Sequence, residues 1–142
     1  MLRQLLFGGG VNVINIAIHA LVMTMVVQVA RRAGTKTRAH SSLLLVAVMI
    51  PTVSVLMVTH ALEVLVWSSA YSILDAAPAD ANLVYFAFVN YTTLGYGDIV
   101  PVERWRLLGP MTAMNGVLLF GWSTAVIFEV LRKTLDRVEI SK

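Results

Sequence analysis

The sequence predicts an all-α integral membrane protein with three transmembrane helices and one short re-entrant helix, on three observations. A chain of 142 residues that is 58% hydrophobic and 13% charged is too apolar for an ordinary water-soluble domain. A helix needs roughly 20 mostly apolar residues to cross a bilayer, and Val11–Ala30, Leu43–Trp67 and Leu107–Phe128 each meet that requirement, with Glu63 the only full charge among them. Between the second and third runs lies a shorter apolar stretch that ends in Gly95-Tyr96-Gly97. Non-helical backbone survives at membrane depth only where protein shields it or where it lines water, so this stretch is expected to enter the membrane and turn back beside a protected path.

Residues 1–10 read as a lead-in ending in Gly8-Gly9-Gly10, a surface helix expected to break before the first span. The basic start Met1-Leu2-Arg3-Gln4 before an apolar run resembles a signal peptide. Against this, the run is long, it carries Asn12, Asn15 and His19, and Gln28 stands where a cleavage site needs a small residue. A polar connector over 31–42 follows, and Ser41 or Ser42 is a suitable cap for the second span. Pro51 is expected to bend that span without ending it. Ser68–Ala79 reads as a loop of small residues, and Asp80 as the cap of a helix over Ala81–Thr92.

Arg31, Arg32, Lys36 and Arg38 lie between the first two runs, and Arg132, Lys133, Arg137 and Lys142 follow the third. Lys and Arg concentrate in cytoplasmic segments, so both are expected on the cytoplasmic side of a cell membrane, with the amino terminus outside and the carboxyl terminus inside. Orientation thus accounts for the net charge of +3 without a nucleic-acid partner. These arginines sit in a polar loop and not at every third position of a span, so no voltage sensor is expected. The absence of cysteine removes disulfides and thiolate chemistry. No phosphate-cradling loop or His-Glu zinc spacing is found, so no enzyme and no cofactor are expected.

Gly95 and Gly97 can visit left-handed backbone without steric cost, so a chain alternating between ordinary and left-handed residues can turn successive carbonyls to one side. The carbonyls of Thr93, Leu94, Gly95 and Tyr96, with the Thr93 hydroxyl below them, then offer oxygens in place of a cation's waters. The run Tyr85-Phe86-Ala87-Phe88-Val89-Asn90-Tyr91-Thr92-Thr93-Leu94-Gly95-Tyr96-Gly97-Asp98 resembles the pore helix and filter of the potassium channel family, in which T-V-G-Y-G-D is the usual form. Leu94 departs from it inside the filter, and its side chain is expected to sit behind while its carbonyl faces the ion.

The resemblance implies a homotetramer around one axis, with K⁺ as the permeant ion and the lipid bilayer as surroundings. It divides the chain into an amino-terminal helix and connector (1–42), a pore domain (43–132) and a short cytoplasmic tail (133–142). It assigns Gly97 and Asp98 to support of the filter, and Tyr85 and Phe86 to an aromatic cuff around Tyr96, with Tyr85 also in reach of Asp98. Val89 stands where some relatives carry a glutamate behind the filter. Gly116 lies near the family's inner-helix hinge glycine, and Val117, Phe120, Thr124 and Phe128 then recur on a cavity-facing side, with Phe120 and Phe128 as hydrophobic constrictions. Asn115 is expected to bond a neighbouring helix.

An ionisable group inside a span is costly and suggests function. His60 lies on the same helical face as Glu63, three residues earlier, a pairing that suggests pH sensitivity. The preferred alternative has Glu63 bonded to the pore helix or to water. A poorly selective cation pore and a non-conducting accessory subunit are the rival functions, and a transporter is disfavoured because no matched broken helices occur.

Overall fold

The computed structural model describes residues 1–33 and 41–140, with side chains for 1–29 and 43–136. Helix α1 covers Leu2–Ala33, α2 Ser41–Ile73, α3 Leu83–Tyr91 and α4 Leu108–Ile140, with a 3₁₀ turn at Glu103–Trp105. No strand occurs among the described residues. Three of these helices are long and apolar enough to cross a membrane. The basic connector, including Lys36 and Arg38, and the terminal Lys142 lie outside the described residues, as do the side chains of Arg31, Arg32, Ser41, Ser42 and Arg137.

Three boundaries differ from expectation. First, α1 runs unbroken through Gly8-Gly9-Gly10. Each helical glycine costs about 1 kcal/mol against alanine, but an unpaired backbone group in an apolar surrounding costs several kcal/mol, so the helix persists. Gly8 also has a packing reason: a Cβ there would meet Met111 at 2.6 Å and Leu108 at 3.2 Å, so α1 lies close against α4.

Second, α2 passes through Pro51 as expected but continues six residues beyond Trp67 to Ile73, into the stretch read as loop. Trp67 and Tyr71 are fully buried one turn apart. Burial of such large side chains on the same face is worth roughly 1.5–3 kcal/mol each, which outweighs the turn preference of the small residues around them. The helix ends in a hydrogen-bonded reversal: Ala76 N–H donates to the Tyr71 carbonyl (2.9 Å) and Asp75 N–H to that of Ser72 (3.3 Å), with Asp75 in the left-handed region at φ 46°.

Third, Asn82 and not Asp80 caps α3. Its Oδ1 accepts from Tyr85 N–H at 3.0 Å, whereas Asp80 falls in a turn closed by Ala81 N–H on the Pro78 carbonyl (3.0 Å). At nine residues α3 is about 14 Å long, half of what a span requires.

Helix α3 sits between α2 and α4, and α1 packs along α2 and α4. The core next to α3 is built from Val64, Trp67, Tyr71, Phe86, Tyr91, Trp105 and Leu108. A second cluster of Met23, Leu56, Val126 and Val130 joins α1, α2 and α4 nearer the other end. Val102 N–H bonds the Ala76 carbonyl at 2.9 Å, tying the chain before α3 to the chain after Gly97.

Candidate functional site

The segment after α3 is held by its donors. Thr92 N–H bonds the Phe88 carbonyl (2.9 Å), Thr93 N–H that of Asn90 (3.0 Å), and Leu94 and Gly95 N–H both turn back to Val89 (3.0 and 3.3 Å). These bonds satisfy the last carbonyls of α3, which a helix end leaves open. Thr93, Gly95 and Gly97 have φ of 60°, 60° and 76°, while Leu94 and Tyr96 between them do not enter positive φ. The alternation expected for Gly95 and Gly97 therefore begins one step earlier, at Thr93, where the four hydrogen bonds just described hold a non-glycine residue in the left-handed region. Among the described residues the carbonyls of Thr93, Leu94, Gly95 and Tyr96 accept no hydrogen bond. With the N–H groups of Thr93, Leu94 and Gly95 turned back to α3 and these carbonyls unbonded, four consecutive oxygens are available to an external ligand.

Residues 92–98 are exposed in the single chain. Leu94 is 53% and Tyr96 68% accessible, so a single subunit covers neither side chain. The two proposed cuff residues separate. Tyr85 lies at the rim, where its hydroxyl donates to Asp98 Oδ2 at 2.7 Å. That bond to a carboxylate holds the phenolic proton in place and raises the Tyr85 pKa above its ordinary value. Phe86 is buried, its ring 4.8 Å from that of Tyr71, and Tyr96 has no aromatic partner among the described residues. Adjacent residues on a helix face different ways, so within one chain Tyr85 and Phe86 meet different neighbours. Behind the segment, Val89, Asn90, Thr93, Gly95, Gly97 and Val100 border a cavity of about 350 Å³.

Helix α4 continues through Gly116, where a Cβ would collide with the Tyr91 carbonyl. The glycine thus lets α4 touch the carboxyl end of α3. Val117, Thr124 and Phe128 are exposed on α4, whereas the Phe120 ring leans on His60 (4.5 Å between centroids) and Tyr91 (5.4 Å), which removes it from a purely cavity-facing role.

Asn115 bonds neighbouring helices as expected: its Oδ1 accepts from Asn15 Nδ2 and from Trp67 Nε1, both at 2.9 Å. Glu63 is fully buried and joins both of its expected readings. Oε2 accepts from the Tyr91 hydroxyl of α3 and lies 2.9 Å from His60 Nδ1. Oε1 lies 2.8 Å from Nδ1 of His19 on α1, a partner that sequence reasoning missed. A signal existed: Asn15 and His19 are polar residues one helical turn apart in an apolar span, which places them on one face. Asn15 Nδ2 also reaches the Glu63 carbonyl at 3.2 Å. At the amino-terminal end of α1, Gln4 Oε1 accepts from Leu107 N–H (2.8 Å) and Phe7 meets Trp105 edge to face at 5.7 Å.

A family model described as "Ion channel" matches residues 43–133. No curated protein and no solved structure matches the chain. With three spanning-length helices, a short helix held between two of them, and a matched region running from the start of α2 to the last turns of α4, the chain is a multi-pass membrane protein and belongs to the ion channel family.

Proposed function

We propose that the protein is a potassium-selective channel subunit, in which the backbone of Thr93–Tyr96 strips and replaces the hydration shell of K⁺. The observation that carries this reading is the row of four unpaired carbonyls on a backbone alternating between ordinary and left-handed residues. Oxygens on one subunit cannot surround an ion. Four copies around an axis close each layer into a ring, and the same assembly covers Leu94 and Tyr96, which one chain leaves half or more exposed. Helix α3 directs its carboxyl end, with its partial negative charge, towards the foot of the segment. Asp98 at the opposite end adds a carboxylate that concentrates cations at the outer mouth. Val117, Thr124 and Phe128 line the path below, where Phe128 forms a hydrophobic constriction that gates by dewetting.

In this reading Glu63 holds the pore helix by way of Tyr91, and Gly116 sets how close α4 comes to it. The connector 31–42 and the tail are cytoplasmic and the amino terminus lies outside, as the basic residues dictate. K⁺ flows passively, ions displacing one another between adjacent carbonyl layers.

The test is purified protein in liposomes carrying a K⁺ gradient. K⁺ flux that is blocked by Ba²⁺, with a reversal potential in mixed solutions following K⁺ over Na⁺, is the expected result. Equal passage of Na⁺ and K⁺ points to a poorly selective pore, and no flux from a folded tetramer to an accessory subunit.

A further inference from the structure

His19 from α1 and His60 and Glu63 from α2 bring three ligand atoms within 4.8 Å of one another at a place where His19 and Glu63 are fully buried. The arrangement is more ordered than a chance polar cluster. Both imidazoles present Nδ1 to the same carboxylate, at 2.8 and 2.9 Å, and both present Nε2 to the same hydroxyl, Ser123 Oγ on α4, at 3.4 and 2.9 Å. The Tyr91 hydroxyl stands 3.0 Å from His60 Nδ1, completing a fourth side.

We infer that His19, His60 and Glu63 form a binding site for a divalent transition metal of the zinc class, with Tyr91 or a water at the fourth position. The donor count supports this. Without a metal, each Nδ1 must carry a proton to reach Glu63, so each neutral ring offers Nε2 as an acceptor, and the single Ser123 proton satisfies only one of them. With a metal bound by both Nδ1 atoms, each ring carries its proton on Nε2, and the two lone pairs of Ser123 Oγ accept both. That is the outer-shell support metal-bound histidine ordinarily has. Loading moves the single proton of each ring from Nδ1 to Nε2, so the two neutral histidines take up the ion with no net release of protons. Two imidazoles and a carboxylate suit zinc and its neighbours better than calcium or magnesium. Ligand atoms around a tetrahedral zinc at about 2.0–2.1 Å lie roughly 3.3 Å apart, a spacing bracketed by the 2.8 Å between His19 and Glu63 and the 4.8 Å within which all three ligand atoms fall. His60, 14% exposed, gives the ion its way in beside Phe120.

Such a site ties α1, which precedes the matched pore region, to α2 and, through Ser123 and Tyr91, to α4 and α3. It stands on the helix geometry and not on ion selectivity, so no transport measurement is needed. The full-length protein, free of any histidine tag and stripped with chelator, is titrated in detergent with Co²⁺ and then Zn²⁺. The expected result is a saturable visible absorption of tetrahedral Co²⁺ at about one ion per subunit, displaced by Zn²⁺. Binding should weaken at least about tenfold in His19→Gln and in His60→Gln, and about tenfold to a hundredfold in Ser123→Ala, with His40→Gln unchanged. X-ray absorption of the Zn²⁺-loaded wild type provides a readout independent of how the variants fold, and should show two imidazole nitrogens at about 2.0–2.1 Å. Absence of a saturable band in helical wild-type protein, an undiminished band in the His19→Gln/His60→Gln double variant, or a metal shell without imidazole would each overturn the site.

Discussion

At Gly116 a single missing methyl group lets α4 reach the end of the pore helix, and the nearest atom is backbone, which cannot swing aside. Gly116→Ala is therefore expected to lower stability by about 1–3 kcal/mol, the usual cost of overpacking, and to reduce flux by displacing Tyr91 two residues before Thr93. Thermal unfolding in detergent, alongside liposome flux, checks both, and an unchanged midpoint would contradict the packing role. Asn115 is a second such point. Asn115→Leu leaves the Trp67 indole N–H and the Asn15 amide without their shared acceptor, at about 1–3 kcal/mol for stranded buried donors, again read as a lower unfolding midpoint. The Tyr85–Asp98 bond carries a pH signature. Because the Tyr85 phenol is raised above its ordinary value, its contribution is complete below the unfolded tyrosine value of about 10 and fades as pH climbs through the raised one. The Tyr85–Asp98 contact should hold its neutral-pH behaviour to strongly alkaline pH in the wild type, whereas Tyr85→Phe should lack that contribution at every pH. Flux measured from pH 8 to 11 in both proteins distinguishes them.

Among the elements, α3 is the most exposed to small changes, since nine residues are too few to form a stable helix alone. It persists because Asn82 closes one end, the N–H groups of residues 92–95 close the other, and α2 and α4 hold its flanks. Asn82→Ala should cost about 1 kcal/mol and increase amide hydrogen exchange at Leu83, Val84 and Tyr85 specifically; exchange unchanged there would show that packing alone holds the helix. Helix α1 presents the opposite case. Its close glycine contact at Gly8 and its polar reach from Asn15 and His19 make it part of the same packed bundle as α2 and α4, although it lies before the matched family region.

For the molecule as a whole, the buried polar network around Glu63 and Asn115 connects all four helices, and truncation tests it at that scale. Removing residues 1–33 withdraws His19 from Glu63 and Asn15 from Asn115. Each buried polar group left without its hydrogen-bond partner costs about 1–3 kcal/mol, so the truncated chain should unfold at a lower temperature than the full one in the same detergent. Equal midpoints would show that α1 is an appendage. The exposed Leu94 and Tyr96 bear on the proposed assembly: a particle mass of four chains is expected by light scattering, and Tyr96→Ala should weaken that assembly if a neighbour covers the ring.

The class of the protein and its three spans were legible in the sequence, because each rests on a local and strongly constrained signal, as does the alternating backbone at Gly95 and Gly97. Span length follows from bilayer thickness, and the Gly95-Tyr96-Gly97 pattern follows from the backbone angles that turning carbonyls to one side requires. What only the tertiary structure decided are the matters set by neighbours distant in the chain. The continuation of α1 through three glycines, the extension of α2 to bury Tyr71, the burial of Phe86 against Tyr71, and the meeting of His19 with Glu63 forty-four residues away all depend on which faces the helices present to one another. In an almost uniformly apolar helix, periodicity carries little information about facing, since lipid and protein are equally hospitable to Leu and Val. The few polar residues then set the rotation of each helix, and their partners become known only once the helices are placed side by side.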